Sequence, residues 1–386
     1  MSSQTPKKRR LATVVVGEND ATPRPQGRPQ PTSSLASSDS ISVSSYDDSQ
    51  ASGQSSPSKM FSVLGLNPKG VDRKAMDRDD PDMPNALAEL VAEVELIATS
   101  LHVVPAHLES QISRLKTSIR SLSTFYPHVY APQDTTSPSE PSPDAHSWNN
   151  ITLDEVLGIV DDAKECDNME QDEAGWNNLV HTPLLRAAHR RQGLRRDVTG
   201  FCPCMSAKII PAYRSDHLPG KKVDYVLFID PDRQDGQQGT HKAVQALREK
   251  LQENSINHSS FPPLRERPVT VSIETKRGGD HEQKARLQMG VWQASQWKLL
   301  SELAGAGLDE LPFIPGIVVQ GHQWRFVATS QRDGKTILWT DRTFGTSQTI
   351  LGTFQILAGI YRLKRWSLEV FWPWYKIHVL QLGLPP

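Results

Sequence analysis

Residues from about 150 to the end of this 386-residue chain predict an α/β domain, and three features of the sequence carry that expectation. Apolar residues recur at helical spacing in some stretches and alternate, or run unbroken, in others. The two kinds of stretch succeed one another as helix, strands, helix, strands, helix, with no internal repeat. Two of the strand-like runs also carry charge where strands ordinarily exclude it, which marks the place where chemistry is expected.

Taken from the beginning, residues 1–60 are dominated by Ser, Pro, Gln, Thr, Gly and Asp, and Ser33 to Ser58 holds almost no large apolar side chain. Such a segment cannot bury enough surface to offset its ordering entropy, so a disordered tail is expected. Its basic cluster Lys7, Lys8, Arg9 and Arg10 has the pattern of a nuclear-import address, though a solvated tail shares the composition. From Asn85 the pattern turns helical: Leu87, Leu90, Val91, Val94 and Ile97 share one face. Pro105 breaks that run and restarts a second helix through Leu108, Ile112, Leu115 and Ile119. Residues 85–130 thus read as a helical lead-in, either a packing element or an oligomerisation arm. A Pro-, Ser- and Thr-rich linker over 131–147 separates it from a domain spanning 148–386.

Within that domain, Asp154 to Asp161 predicts a short amphipathic helix, and Trp176 to Ala188 a longer one. Val223 to Ile229 reads as a buried strand and Val269 to Ile273 as a strictly alternating one. Glu282 to Leu303 predicts a helix. Ile314 to Val319, Gln323 to Ala328 and Thr336 to Trp339 predict three strands, the last two joined by a turn at Asp333-Gly334. Thr349 to Leu363 predicts a final helix, followed by the aromatic run Phe371 to Tyr375.

Composition narrows the function classes. A hydrophobic fraction of 37% with 28 prolines places much of the chain outside a packed core. The formal net charge of −1 gives no global case for nucleic acid, so any such surface has to be local. No run of eighteen apolar residues predicts a membrane span, and the opening residues lack the apolar centre of a secretory signal. The three cysteines, Cys166, Cys202 and Cys204, are too few and too unevenly spaced for a disulfide framework, which fits a reducing compartment. Cys202-Pro-Cys204 invites a zinc reading with His181 or His189, but ordinary cysteines account for it better.

The charged positions are the informative ones. Asp224 sits inside the apolar run Val223, Tyr225, Val226, Leu227, Phe228 and Ile229. The strand from Val269 runs directly into Glu274-Thr275-Lys276, and alternation puts Glu274 and Lys276 on one face with Thr275 opposite. If the two strands are neighbours, Asp224 and Glu274 converge. Two carboxylates about 4 Å apart repel by roughly 4 kcal/mol at an effective dielectric of about 20. One then takes up a proton, or a cation lies between them. Two carboxylates and a backbone carbonyl, that of Thr275, form a hard oxygen set suited to Mg²⁺ or Mn²⁺, and Lys276 beside them can hold or deprotonate an attacking water. A structural Asp/Glu/Lys ion-pair cluster fits the same spacing.

The chain resembles the PD-(D/E)XK nuclease superfamily and, within it, a fungal nuclease-like family. The residues that carry this are Trp176 to His181 with Leu184 and Leu185, Lys222 to Tyr225, Ile273 to Lys276, Ala285 to Trp292, Phe354 to Gly359 and Phe371 to Trp374. The resemblance implies a restriction-endonuclease-like core, a central mixed sheet flanked by helices. It also implies Asp224 at the superfamily's aspartate and Glu274 and Lys276 at its (D/E)-x-K; Val223 stands where proline is usual. Glu173, at the start of the first core helix, matches the acid that assists the metal there, although a carboxylate is also favoured at any helix start. Gln288 and Trp292 share a helix face as Gln-x-x-x-Trp, similar to a RecB-like motif, with Gln288 turned to the site and Trp292 packing behind it.

The function these implications predict is a Mg²⁺- or Mn²⁺-dependent endonuclease acting on DNA in the nucleus, without a small-molecule cofactor, with pairing of two copies as the common way to cut both strands. The alternative is an inactive nuclease-fold module that binds nucleic acid or protein. Lys221, Lys222, Arg277, Lys284 and Arg286 offer a phosphate-binding surface, each of them equally well a solvated charge. Trp324, Trp339, Trp366, Trp372 and Trp374 can stack on bases, but their spacing favours the core.

Overall fold

The computed structural model describes residues 56–132, 151–189, 198–214, 222–233, 238–278 and 282–383. The basic cluster Lys7 to Arg10, nearly all of the serine-rich tail, linker residues 133–147 and Lys221 lie outside the described residues.

The apolar runs become seven strands: β1 (Val71–Ala75), β2 (Thr199–Pro203), β3 (Tyr225–Ile229), β4 (Val269–Lys276), β5 (Ile314–Gln320), β6 (Gln323–Arg332) and β7 (Lys335–Thr346). They form one mixed sheet in the order β1-β7-β6-β5-β4-β3-β2, parallel at β1/β7 and β4/β5 and antiparallel elsewhere. The main helices are α1 (Pro57–Leu66), α2 (Asn85–Ala98), α3 (Glu109–Leu115), α4 (Leu153–Asn168), α5 (Glu173–Trp176), α6 (Thr182–Ala188), α7 (Gln238–Lys250), α8 (Glu282–Ala304), α9 (Ile350–Trp366) and α10 (Trp372–His378).

Parallel strands need a crossover, and α8 supplies it between β4 and β5, lying against both. Neighbouring sheet residues point into different hydrophobic clusters. Val318, Val327 and Leu338 join Met289 and Trp292, while Ile317, Phe326 and Trp339 join Phe354, Ile356 and Leu357. The sheet is therefore covered on both faces, and every residue of β4 is buried. Its polar members are satisfied there. Trp292 Nε1 donates to Ser272 Oγ (3.1 Å), and Ser367 Oγ lies 2.8 Å from Thr270 Oγ1. All five late tryptophans are buried, which fits core packing. The Asp333-Gly334 turn has positive φ at both residues (51° and 79°), the geometry that a two-residue hairpin of this twist requires.

The lead-in is a packing element. Leu87, Leu90, Val91 and Val94 are buried in the same cluster as α9, and Arg342 pairs with Glu95 (3.1 Å) across to β7. Ahead of α2, β1 extends the sheet by one parallel strand, so the lead-in and the later described residues pack as a single unit. Two segments continue helices at a wider pitch, the π turns Asn177–His181 and Ser367–Phe371. Each is followed within two residues by a proline, Pro183 or Pro373. Proline lacks the N–H that bonds four residues back and its ring crowds that carbonyl, here Leu179 or Glu369. Widening the turn relieves both problems without breaking the helix.

Candidate active site

β3 and β4 pair antiparallel with Tyr225 opposite Ile273, which sets Asp224 beside Glu274. Asp224 N–H donates to Ile273 O (3.0 Å) and Asp224 O accepts from Cys204 N–H (2.8 Å). The residue thus stands one position before β3 and not within it. Its carboxylate explains the difference, because Oδ2 accepts from Thr275 N–H (2.8 Å) and so takes the place of a ladder carbonyl. Oδ2 also lies 2.9 Å from Thr275 Oγ1, while Oδ1 has no hydrogen-bond donor among the described residues.

Glu274 is 1% exposed and Lys276 7%. Lys276 Nζ sits among three acceptors, Glu274 Oε1 at 2.6 Å, Thr275 O at 2.7 Å and the Glu173 carboxylate at 3.2 Å. Glu173 comes from the first turn of α5, whose N-cap Asp172 accepts from Gly175 N–H (2.8 Å). Among the described residues neither Glu274 oxygen has a hydrogen-bond partner, and Oε1 meets Lys276 as an ion pair.

Charge governs this cluster. Burial raises the Glu274 pKa well above the usual carboxylate range, Asp224 adds to the effect, and Lys276 opposes it. Burial also raises the pKa of Glu173, with Lys276 opposing and Asp224 adding. Burial pulls Lys276 downward, but Glu274, Asp224 and Glu173 together outweigh it and hold the ammonium in its charged form. The raised Glu274 and the raised Lys276 pull against each other, since a protonated Glu274 no longer supports the ammonium. Lys276 has three carboxylate neighbours and Glu274 has one cation, so Glu274 is the group that yields. Three carboxylates against one ammonium leave two negative charges when all are ionised, with free oxygens at Asp224 Oδ1 and Glu274 Oε2. That is the electrostatic deficit a hard divalent cation fills.

Asp224, Glu274, Thr275, Lys276 and Glu173 are thus brought together. Among the described residues no three His, Cys, Asp or Glu side chains form a metal cage by themselves. Two carboxylates with a carbonyl are nonetheless the sort of partial set on which Mg²⁺ is held with its waters. Gln288 is near but not in the cluster: its Nε2 donates to Lys222 O (3.3 Å), tying α8 to the segment ahead of Asp224. Trp292 packs behind, edge-on to His258.

Lys222, Arg277 and Lys284 are exposed around the site, and Lys284 lowers the Glu173 pKa. Arg286 does not belong to that surface. It is held by Glu282 (2.6 Å) and Asp341 (2.9 Å) beside Arg325, so its charge is already matched. The zinc reading of the cysteines has no support either. Cys204 is buried with Sγ 3.4 Å from Val223 O, and His181 and His189 bond Asn177 and Leu185.

Two side chains with no predicted role enter the site, Thr275 and Asn177. Asn177 Oδ1 lies 2.9 Å from Thr275 Oγ1, and Tyr225 OH donates to Asn177 O (3.0 Å), bracing the π turn. Burial pushes the Tyr225 hydroxyl up to about 12, so it remains a donor. Tyr225→Phe is expected to lower stability by about 1 kcal/mol, measured as an earlier urea midpoint at an unchanged slope.

A family model for the PD-(D/E)XK nuclease superfamily matches residues 123–372, a span that includes Glu173, Asp224, Glu274 and Lys276. No curated protein and no solved structure matches the chain. With the mixed sheet, the acid pair at the β3/β4 junction and a match over more than half of its length, this chain belongs to the PD-(D/E)XK nuclease superfamily.

Proposed function

We propose that the protein is a metal-dependent nuclease that hydrolyses DNA phosphodiester bonds, with Asp224, Glu274 and the Thr275 carbonyl holding Mg²⁺ or Mn²⁺. The observation that carries this reading is the buried, undercompensated Glu274, with one carboxylate oxygen unpartnered beside Asp224. Evolution tolerates such a group in a core when a ligand or reaction needs it.

A divalent cation bound there supplies Lewis-acid stabilisation of the phosphoryl oxygens and lowers the pKa of a coordinated water. Lys276, kept protonated by its three acidic neighbours, acts as a donor and a positive charge. It holds the attacking water and offsets charge that develops on the phosphate; it does not abstract the proton. Glu173, on the exposed side, accepts hydrogen bonds from water entering the cluster. Lys222, Arg277 and Lys284 contact the backbone phosphates, which gives affinity without sequence choice. The preference for DNA rests on superfamily membership.

One observation favours the other reading, an inactive nucleic-acid-binding module. Lys276 already has three protein partners, hydrogen bonds to Thr275 O and Glu173 and an ion pair with Glu274. Nicking of supercoiled plasmid separates the two. The nuclease converts it to relaxed and linear forms with Mg²⁺ or Mn²⁺, stops on chelation and resumes when the cation is restored in excess. A folded protein that shifts the plasmid in a gel but never nicks it is the binding module.

A further inference from the structure

The π turn Asn177–His181 places two polar side chains in the interior, Asn177 at 2% exposure and His181 at 1%. Asn177 Oδ1 lies 2.9 Å from both His181 Nδ1 and Thr275 Oγ1, and Thr275 Oγ1 lies 2.9 Å from Asp224 Oδ2. A hydrogen-bonded chain therefore runs from the first core helix to the aspartate of the acid cluster. The Tyr225 hydroxyl, bonded to Asn177 O and 2.9 Å from Thr182 Oγ1, fixes the backbone from which the chain starts.

Counting protons gives the chain a direction. Thr275 Oγ1 has a single hydrogen, and a carboxylate only accepts. If that hydrogen went to Asn177, two oxygens would face each other at 2.9 Å across Thr275 Oγ1 and Asp224 Oδ2 with no hydrogen between them. Sent to Asp224, it requires Asn177 to present a donor. Amide oxygen and nitrogen share one shape, so the network decides between them, and here it turns the NH₂ toward Thr275 and His181. His181 Nδ1 is then an acceptor and its hydrogen sits on Nε2. Burial pulls the His181 pKa down to about 4, which keeps the ring neutral, and the Gly321 backbone acts in the opposite sense. Nε2 itself has no hydrogen-bond partner among the described residues.

We propose that Asn177, oriented by His181, is a positioning residue for the cation site: it donates to Thr275 Oγ1, commits the Thr275 hydroxyl to Asp224 Oδ2, and leaves Oδ1 as the ligand oxygen. This rests on the cation-binding reading of Asp224 and Glu274 above. Outer residues of this kind tune affinity without touching the ion.

The test uses the full chain and Mn²⁺ alone as probe, with titration calorimetry at a temperature where melting curves show each variant folded. Asn177→Leu and Thr275→Val are expected to weaken Mn²⁺ binding about tenfold or more, and Thr275→Ser to stay within about twofold of wild type. Wild-type affinity in Asn177→Leu overturns the proposal. A second measurement needs no variant: ¹⁵N NMR of histidine-labelled protein should find His181 as the Nε2–H tautomer, and the Nδ1–H tautomer overturns the assigned direction. Wild-type protein that binds no Mn²⁺ fails the cation reading itself, and the positioning role falls with it. Binding in the wild type with unaltered binding in the variants fails the positioning role alone.

Discussion

Lys276→Met is expected to abolish plasmid nicking while tightening the binding of Mn²⁺. The ammonium touches the Thr275 carbonyl, one of the atoms proposed to hold the cation, and Glu274 Oε1, on the carboxylate that supplies another. In the cation-free protein Lys276 is the counter-charge of the cluster, and it has to release those atoms when a divalent ion arrives. Methionine has nearly the same length and no charge, so the competition disappears. A gain of about tenfold corresponds to about 1.4 kcal/mol, a modest share of a buried ion pair. The same change leaves Glu274, at 1% exposure, without its cation. Glu274 then holds its proton more firmly, and with its contact to Lys276 lost the cation-free variant should melt below wild type at neutral pH and recover with Mn²⁺. Nicking should fall by at least about 10²-fold, the usual effect of removing one preorganised donor from a developing charge. Weaker Mn²⁺ binding in Lys276→Met, measured by calorimetry, would show that the lysine cooperates with the ion and does not compete with it.

Glu274→Gln should do the reverse, giving a cation-free protein more stable than wild type that binds no Mn²⁺. The sign follows from the direction of the shift. Burial, helped by Asp224, raises the folded pKa of Glu274 above its unfolded value. Its contribution to stability is therefore fully present below the unfolded pKa and is lost as pH rises through the raised folded pKa. Glutamine copies the protonated shape and removes that loss. Lys276 is not stranded by the change, since Glu173 and Thr275 O still hold it. The expected gain is about 1–4 kcal/mol at neutral pH, the range seen when a buried charge is replaced by a neutral group of like volume. It should shrink toward zero in acid, below the unfolded pKa, where Glu274 is protonated in the folded and unfolded states alike. Thermal melts of both proteins across that pH range test this, and a variant less stable than wild type at neutral pH contradicts it. For the same reason the wild type should release a proton on binding Mn²⁺, visible as a dependence of binding heat on buffer.

The sequence disclosed the acid pair and its lysine because each breaks a local rule. Asp224 interrupts an apolar run, and Glu274 and Lys276 close a strand that starts with valines. What it concealed depends on contacts between distant residues. Alternation along β4 sends Thr275 away from Glu274, yet its N–H and hydroxyl both reach Asp224, fifty-one residues earlier. Asn177 and His181 stood in a recognisable motif without a role, because helical periodicity assumes a regular pitch and the turn there is wider. Pro183 and Pro373 were the available signals. Arg286 looked like a phosphate ligand until Asp341 was placed next to it by β7.

Among the elements, the long strands and helices were legible, and the short charged ones were not. β1, Val71-Asp72-Arg73-Lys74-Ala75, has the charges expected of an edge strand and so lacks an apolar pattern. β2 contains Gly200 and Pro203, which read as a loop, and it too lies at a sheet edge. α7 is mostly polar, with Ala243, Val244 and Leu247 as its inner stripe.

The central claim is that Asp224 and Glu274 together hold a divalent cation. Its most direct test is calorimetric titration of Mn²⁺ into wild-type protein and into Asp224→Ala, with nicking of supercoiled plasmid followed in the same samples. The account predicts one Mn²⁺ bound per wild-type chain with nicking, and both lost in a folded Asp224→Ala. Folded wild-type protein that takes up no Mn²⁺, or Asp224→Ala that binds it as the wild type does, contradicts the account.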